Sequence, residues 1–220
     1  MPLIPISLWS HSIGANSWKV AMILEELNIP YTHKFIEFPE MKQEPYESIN
    51  PNGRVPAIED ANTGITLWES GAIIEYLVAT YDKQNTISFT AGSREDYQTK
   101  QWLYFQVSGQ GPYFGQAAWF LRYHSENVPS AIKRYISEIK RVSRVLDGAL
   151  KNKVYLVGNK YTYADAVFVP WYTIMTSFTD EMNLKGEFPN LHAWLTRLKT
   201  TPAIAKVLDD WSVASGQNMM

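Results

Sequence analysis

The sequence predicts a two-domain protein of the α/β plus all-α class, in which a small mixed domain precedes an all-helical one. Two short segments with alternating apolar residues flank a helical repeat within the first forty residues. After Ser93, strand signals become weak and helical periodicity dominates. Polar segments at 82–86 and 91–93 separate the two patterns. We therefore predict domains at 1–84 and 93–220.

Composition excludes several classes of function. The chain has 220 residues, of which 45% are hydrophobic, and this is enough for a sizeable core. It has no cysteine, which excludes disulfides, thiolate metal sites and a cysteine nucleophile. We expect no bound metal. The formal net charge of −2 argues against nucleic acid or an anionic membrane as a partner.

The sequence carries no recognisable targeting or membrane segment. Its first residues lack the basic stretch and long apolar run of a signal peptide. No segment approaches the roughly 18 apolar residues that a membrane span needs. We therefore expect a cytoplasmic protein without a membrane partner.

The first elements form a strand–helix–strand unit. Residues 4–9 alternate like a strand, and the turn-like loop 10–15 follows them. Apolar residues then recur with helical spacing at Val20, Ile23, Leu24 and Leu27 until Asn28-Ile29-Pro30 stops the helix. Residues 31–37 form the second predicted strand, parallel to the first because a helix connects them.

The next part of the chain, which contains Pro56 and Ser70, is predicted to form a hairpin followed by a helix. Pro56 stands where the first strand of this hairpin starts and has no N–H for a ladder, so the backbone of Val55 is available to another partner. Glu69-Ser70 opens the helix, and a helix N-terminus favours anions. The stretch therefore suits a small peptide with a carboxylate. An ordinary hairpin with a capped helix is the alternative.

The second half reads as a series of helices. We predict helices over 94–105, 116–123 and 129–150, with a kink or break near Gly111-Pro112. Thr162 followed by Asp165 is a capping-box pattern that opens a largely apolar, buried helix. Pro189 and Pro202 begin the last two helices.

The motifs, taken in this order and spacing, resemble those of a cytosolic glutathione transferase over nearly the whole chain. The residues that carry the resemblance are NGRVPA at 52–57, LWESGAI at 67–73 and TYAD at 162–165. The segments at 15–20, 101–112 and 122–125 are similar to the fungal subgroup related to the yeast nitrogen-catabolite regulator. That regulator has a long Asn/Gln-rich extension before its first strand, and this chain has none. We therefore expect the transferase core without the regulatory and prion roles.

The resemblance implies a thioredoxin-like N-terminal domain, an all-helical C-terminal domain and a homodimer. It also implies a cis peptide bond before Pro56 and a site for glutathione. Val55 would pair with the cysteinyl backbone of glutathione, Glu69 would face its α-ammonium, and Ser70 would face its α-carboxylate. Lys42 is the expected partner of the glycyl carboxylate, although it is also placed like an ordinary solvated side chain. Arg54 lies near the same site.

A transferase must also lower the pKa of the glutathione thiol. A free thiol titrates near about 8.5, so little thiolate is present at neutral pH. The resemblance places an asparagine just before the first helix, and Asn16 matches that position. An amide donates to a thiolate but takes no proton from it, so its role would be stabilisation. Ser12 and Ser17 are the alternates, and an N-cap is the structural alternative for Asn16.

The second substrate is expected to be a small apolar electrophile bound in the helical domain. Its predicted pocket combines aromatic side chains and one arginine: Tyr113, Phe114, Trp119, Arg122 and Tyr123. Core packing is the alternative role for each of them.

We therefore expect a glutathione transferase that conjugates the glutathione thiolate to apolar electrophiles. Glutathione, the co-substrate, would also be the sulfur nucleophile in any peroxide or disulfide reduction. A non-catalytic glutathione-binding carrier or regulatory module is the alternative, because a fold alone does not establish an activity. A role in detoxification and a role in biosynthesis both fit this activity.

Overall fold

The structure is a computed structural model that describes residues 2–220. The chain forms two compact units. The first contains the chain up to Ser88 together with Pro202–Met220, and the second contains Phe89–Thr201. The sequence pattern groups the segment from Pro202 with the helices before it, whereas in the structure this segment packs with the first unit.

The elements of both units follow in chain order. The strands are β1 Ile6–Ser10, β2 Tyr31–Phe35, β3 Ala57–Asp60 and β4 Ile65–Trp68. The helices are α1 Ala15–Glu26, α2 Tyr46–Ile49, α3 Ser70–Tyr81, α4 Arg94–Phe105, α5 Gly111–Arg122, α6 Pro129–Ala149, α7 Tyr163–Ala166, α8 Val169–Met175, α9 Leu184–Glu187, α10 Pro189–Lys199 and α11 Pro202–Ser215. A 3₁₀ turn at Glu40–Lys42 and a π-helical turn at Gln106–Gln110 complete the list.

The first unit has a thioredoxin-like order of β1-α1-β2-α2-β3-β4-α3, as predicted. Its sheet has the order β2-β1-β3-β4. The β1–β2 pair is parallel and the other pairs are antiparallel, so Leu8 lies between His33 and Ile58. The core beneath the sheet consists of fully buried side chains from β1, α1, α3 and α11: Ile6, Leu8, Val20, Ile23, Leu24, Ile73, Leu77, Ile204 and Leu208. This packing explains why α11 belongs to the first unit.

The second unit is all-helical, as predicted, but the predicted break near Gly111-Pro112 is wrong. The chain stays helical from α4 through the π-helical turn into α5. Pro112 lies in the first turn of α5, directly after the π-helical turn. The wider turn is supported inside the unit, because Gln106 Nε2 donates to Gln110 Oε1 at 2.9 Å and Gln110 Nε2 donates to the Phe168 carbonyl at 3.0 Å.

The capping box at the start of α7 is confirmed. The Thr162 side chain and the Asp165 carboxylate each bond to the other residue's backbone. Asp165 also accepts hydrogen bonds from the Leu156 N–H at 3.0 Å and from Trp194 Nε1 at 3.1 Å. Burial raises the pKa of this carboxyl group even though these hydrogen bonds oppose the shift. The helix that follows is interrupted, because α7 and α8 are two short buried helices.

Candidate functional site

In the loop before β3, side-chain hydrogen bonds fix the backbone next to Val55. The Val55–Pro56 peptide bond is cis, as the resemblance implied. The carbonyl oxygen of Arg54 accepts a hydrogen bond from Tyr46 Oη at 2.6 Å and another from Asn50 Nδ2 at 2.6 Å. Pro56 is buried and Val55 is half-buried. The loop is therefore ordered before any ligand arrives, which lowers the entropy cost of binding.

Gly53 allows the loop that carries Arg54 to approach the 3₁₀ turn that carries Lys42. It has a φ of 59° and lies so close to the 3₁₀ turn that an added Cβ would be 2.9 Å from the Met41 carbonyl oxygen and 3.0 Å from Lys42 Cγ. Only glycine fits this approach. Lys42 therefore lies beside the loop that carries Arg54, and both basic side chains are exposed.

The start of α3 combines an exposed carboxylate with a helix N-terminus. Glu69 is exposed and precedes the first helical residue, Ser70, which is buried. Glu69 has φ 70° and ψ 113°, a sparsely populated conformation for a residue with a side chain. No side chain caps α3, and its first turn contains no acidic residue. These features suit a zwitterion, with the ammonium at Glu69 and the carboxylate at the helix N-terminus.

The loop after β1 places the three thiolate candidates differently. Asn16 is the second residue of α1 and is half-buried. Its proposed N-cap alternative is wrong, because Gly14 occupies the N-cap position and no side chain caps the helix. Ser17 is fully buried, and its hydroxyl has no hydrogen-bond partner, so this side chain faces protein atoms. Burial thus argues against Ser17 and leaves Asn16 and the half-buried Ser12 as candidates.

Two tryptophans hold the backbone of this loop. The Ser12 carbonyl oxygen accepts a hydrogen bond from Trp18 Nε1 at 3.1 Å and another from Trp211 Nε1 at 2.8 Å. The next N–H, that of Ile13, donates to His11 Nδ1 at 3.2 Å. Both ends of the Ser12–Ile13 peptide unit are therefore bonded. His11 is itself buried and stacks on Phe38 at a centroid distance of 4.1 Å.

Lys19 is a buried charge close to the same site, and sequence reasoning missed it. It lies on α1 one turn after Asn16 and is fully buried. Burial lowers the pKa of its ammonium group to about 7, and the negative charge of Glu69 partly opposes this shift. A lysine within the otherwise apolar run Trp18-Lys19-Val20-Ala21 was the available signal. The role of Trp211 had no local signal, because its partner lies at the other end of the sequence.

The five predicted pocket residues of the second unit do not form one cluster. Phe114 is fully buried and packs edge-on against Trp171 and Tyr172, which favours its alternative role in core packing. Trp119 and Tyr123 are exposed neighbours with ring centroids 6.2 Å apart.

The other two predicted pocket side chains have separate surroundings. Tyr113 is half-buried and has the Arg141 guanidinium 5.6 Å from its ring centroid. Arg122 is exposed at the end of α5. Tyr113 and Trp119 are six residues apart, which separates them by about 120° around an ideal helix.

A separate groove of about 780 Å³ lies in the first unit, away from the predicted glutathione-binding residues. Trp18, His33 and Phe35 form its aromatic wall, and Lys206 of α11 lies at its edge with Glu25 and Asp210. Burial lowers the pKa of His33 to about 4, so its imidazole is neutral at physiological pH.

Residues 2–220 contain neither a group of metal ligands nor a membrane-spanning helix. Across this range, the His, Asp and Glu side chains form no group of three or more that could hold a metal ion. The helices in the same range are all too short or too polar to cross a membrane.

Comparisons with known proteins agree with the two-part architecture. Residues 14–80 match the family model for the glutathione S-transferase N-terminal domain, and residues 112–202 match the model for the C-terminal domain. The glutathione S-transferase-like protein gedE of Aspergillus terreus is 46% identical over 94% of this chain and 95% of its own length. Glutathione S-transferase 2 of Schizosaccharomyces pombe is 42% identical over 96% and 98% of the two chains.

A solved structure shows the same similarity in three dimensions. The glutathione transferase URE2P6 from Phanerochaete chrysosporium, in complex with oxidized glutathione, superimposes with a TM-score of 0.92 at 47% sequence identity. The match covers 96% of this chain and 97% of that one.

Proposed function

The chain belongs to the glutathione transferase family, in its fungal Ure2p-like subgroup, and from this premise we propose that it conjugates the thiolate of glutathione to small apolar electrophiles. The observation that carries the proposal is the site of the first unit. There an ordered loop at Val55, an uncapped helix N-terminus at Ser70 and the start of α1 at Asn16 are all present.

Glutathione binding is assigned to three anchors. The Val55 backbone pairs with the cysteinyl residue of glutathione, as a strand edge pairs with a peptide. Glu69 receives the α-ammonium, and Ser70 with the N-terminus of α3 receives the α-carboxylate. Lys42 and Arg54 are cationic partners for the glycyl carboxylate, since Gly53 brings Lys42 to the loop that carries Arg54.

Thiol activation is assigned to Asn16. Lowering the thiol pKa by two units takes about 2.7 kcal/mol of preferential stabilisation of the thiolate, which one donor and a helix N-terminus supply. The thiol proton leaves to solvent. The thiolate sulfur then bonds to the electrophilic carbon, and the leaving group departs with its electron pair, or an activated double bond takes up the pair and then a proton.

Electrophile selection is proposed to depend on the exposed side chains near the end of α5, Trp119, Arg122 and Tyr123, whereas Tyr113 lies on another side of this helix. Their aromatic surface suits a flat apolar molecule. We also propose a homodimer in the cytoplasm, the compartment in which glutathione keeps thiols reduced.

Peroxide or disulfide reduction is a second candidate activity. The structure of the related URE2P6 contains oxidized glutathione, the product of such a reaction. In this chain two glutathione molecules would supply both electrons, because it has no cysteine. A hydroperoxide would then become an alcohol and water while one glutathione disulfide forms.

The test is calorimetric titration with glutathione followed by turnover assays with aryl halides, Michael acceptors, hydroperoxides and disulfides. We expect saturable glutathione binding and conjugation of at least one electrophile class. Binding with no turnover across the panel would favour the carrier or regulatory alternative. Absence of binding would refute the proposed site.

A further inference from the structure

The loop before α1 is held by the far end of the chain. Trp211 lies in α11, 199 residues after Ser12, and donates its indole N–H to the Ser12 carbonyl oxygen at 2.8 Å. Trp18 of α1 donates to the same oxygen at 3.1 Å. The two indoles stack at a centroid distance of 5.5 Å with 14° between their planes. Both rings are buried, and the residue that accepts their hydrogen bonds, Ser12, is half-buried.

We propose that Trp211 and Trp18 are positioning residues that fix the Ser12–Ile13 peptide unit and thereby orient the donors around the glutathione sulfur. This inference rests on the proposed function. Neither indole needs to touch glutathione for this role. Each acts through the backbone that leads into α1.

Local geometry connects this peptide unit to Asn16. The Ile13 N–H is held by His11, and the Gly14 N–H donates to the His11 carbonyl at 2.9 Å, which closes a turn. Gly14 is the N-cap of α1, and its carbonyl accepts the Ser17 N–H at 2.9 Å. Asn16 therefore takes its position from a short chain of bonded peptide units that begins at the Ser12 carbonyl.

Electrostatics give the same peptide unit a direct effect on a thiolate. A carbonyl oxygen carries a partial negative charge, which raises the pKa of a nearby thiol. The two indoles hold the Ser12 oxygen against the buried side chains of α1 and α11. If this peptide unit turned, its carbonyl oxygen would be free to face the helix N-terminus, where a thiolate needs donors and an acceptor disfavours it.

The test compares Trp211→Phe and Trp18→Phe with the wild type. Phenylalanine keeps a ring in the stack and removes the N–H. The matched control is Lys206→Met, which removes the ion pair between α11 and Glu25 and leaves the Ser12 carbonyl bonded. The bound-thiol pKa is read from the ultraviolet absorption of the thiolate as pH varies. kcat and the glutathione Kd are measured alongside, and thermal unfolding confirms that each variant is folded.

We expect each phenylalanine variant to raise the bound-thiol pKa by about half a unit to one unit, the size of one lost neutral hydrogen bond. Below the thiol pKa, kcat should fall about three- to tenfold. The glutathione Kd should stay unchanged, because the tripeptide is held at Val55, Glu69 and Ser70. Lys206→Met should leave the thiol pKa at the wild-type value.

Two results would overturn the positioning role. One is a thiol pKa that does not move in either variant while the wild type binds glutathione with a lowered thiol pKa. The other is a parallel loss of affinity and turnover in both variants, which would mean that the indoles contribute only to stability. Failure of the proposed function itself gives a different result, because the wild type would then bind no glutathione, or would bind it without lowering its thiol pKa and without turnover.

Discussion

The carboxylate of Asp60, buried at the end of β3, accepts a hydrogen bond of 2.6 Å from the hydroxyl of Tyr76 in α3. Tyr81, one and a half turns later, donates to the same oxygen. The other carboxylate oxygen accepts the backbone N–H and the side-chain amide of Asn62 at 2.9 Å. One carboxylate therefore ties the β3–β4 turn to α3, the helix whose N-terminus belongs to the candidate glutathione site.

We expect Asp60→Asn to destabilise the protein by about 2 kcal/mol, because hydrogen bonds to a charged group contribute about 1.5–3 kcal/mol each and the amide replaces one acceptor by a donor. Urea unfolding measures the loss. Tyr76→Phe and Tyr81→Phe are companion variants with smaller expected losses. An Asp60→Asn protein as stable as the wild type would show that the network contributes nothing.

The same carboxylate gives a pH dependence with a definite sign. Burial favours its protonated form, but the hydrogen bonds from Tyr76, Tyr81 and Asn62 together outweigh burial and lower its pKa. Its stabilisation is therefore present above the unfolded-state pKa, about 4, and is lost as pH falls through the folded value. The Asp60→Asn variant should lack this component of acid unfolding.

Asn16→Ala should lower kcat by about 10- to 100-fold, at or below the lower end of the roughly 100- to 1000-fold effect of removing one donor from an oxyanion hole. The glutathione Kd should change little, since the tripeptide anchors lie elsewhere. Asn16→Asp should be worse than alanine, because a carboxylate repels a thiolate. Asn127→Ala, at an exposed position of the second unit, is the control. Full kcat in Asn16→Ala would refute the assignment.

Glu69→Gly should separate stability from function. Glycine adopts a positive φ without strain, so relief of the Glu69 conformation should raise the free energy of unfolding by about 1 kcal/mol, net of the greater unfolded-state entropy. That corresponds to roughly 2–4 °C in Tm for a chain of this size. Loss of the carboxylate should weaken glutathione binding.

Glu69→Gln is the matched comparison, because it keeps the strained backbone and removes only the charge. It should bind glutathione weakly without the gain in Tm. Equal melting temperatures for the glycine and glutamine variants would contradict the idea that strain is stored at this residue.

His33 should make the protein less stable in mild acid. Burial, the main cause, lowers its folded-state pKa to about 4, while an unfolded histidine titrates near about 6.5. Between these values the unfolded state binds more protons, so stability is complete above about pH 6.5 and declines as pH falls toward 4. His33→Gln should flatten the dependence of unfolding free energy on pH in this window.

Thr32→Gln, at an exposed position of the same strand, should keep the wild-type slope. An unchanged slope in His33→Gln would assign the acid sensitivity to other groups. Stopped-flow or equilibrium urea unfolding at several pH values measures both variants.

Local signals predicted most of the architecture. The alternation in β1 and β2, the 3.6-residue repeat in α1 and the capping residues at Thr162 act over short distances, and the structure has each of them where expected. Gly111-Pro112 predicts a kink or a break, because glycine and proline interrupt the helical pattern, but the chain stays helical there. The structure instead widens the preceding helical turn and supports it with buried glutamines.

Contacts between residues far apart in the chain were not predicted from the sequence. The pairing of Trp211 with Ser12 depends on α11 returning to the first unit, and no pattern near residue 211 indicates it. Phe114 was assigned to a pocket because aromatic density looks alike in a core and in a binding surface. Only its burial against Trp171 and Tyr172 separates the two roles.

The return of α11 to the first unit also affects how the protein is made. The first unit is made of two segments from the two ends of the chain. The helical unit is therefore an insertion in the sequence of the first unit. A ribosome that adds about 5–20 residues per second reaches Trp211 roughly 6–25 s after Ser88, and until then α1 lacks the helix that covers it. During synthesis the helical unit is complete first. The N-terminal sheet reaches its final packing only when the last helix has been made.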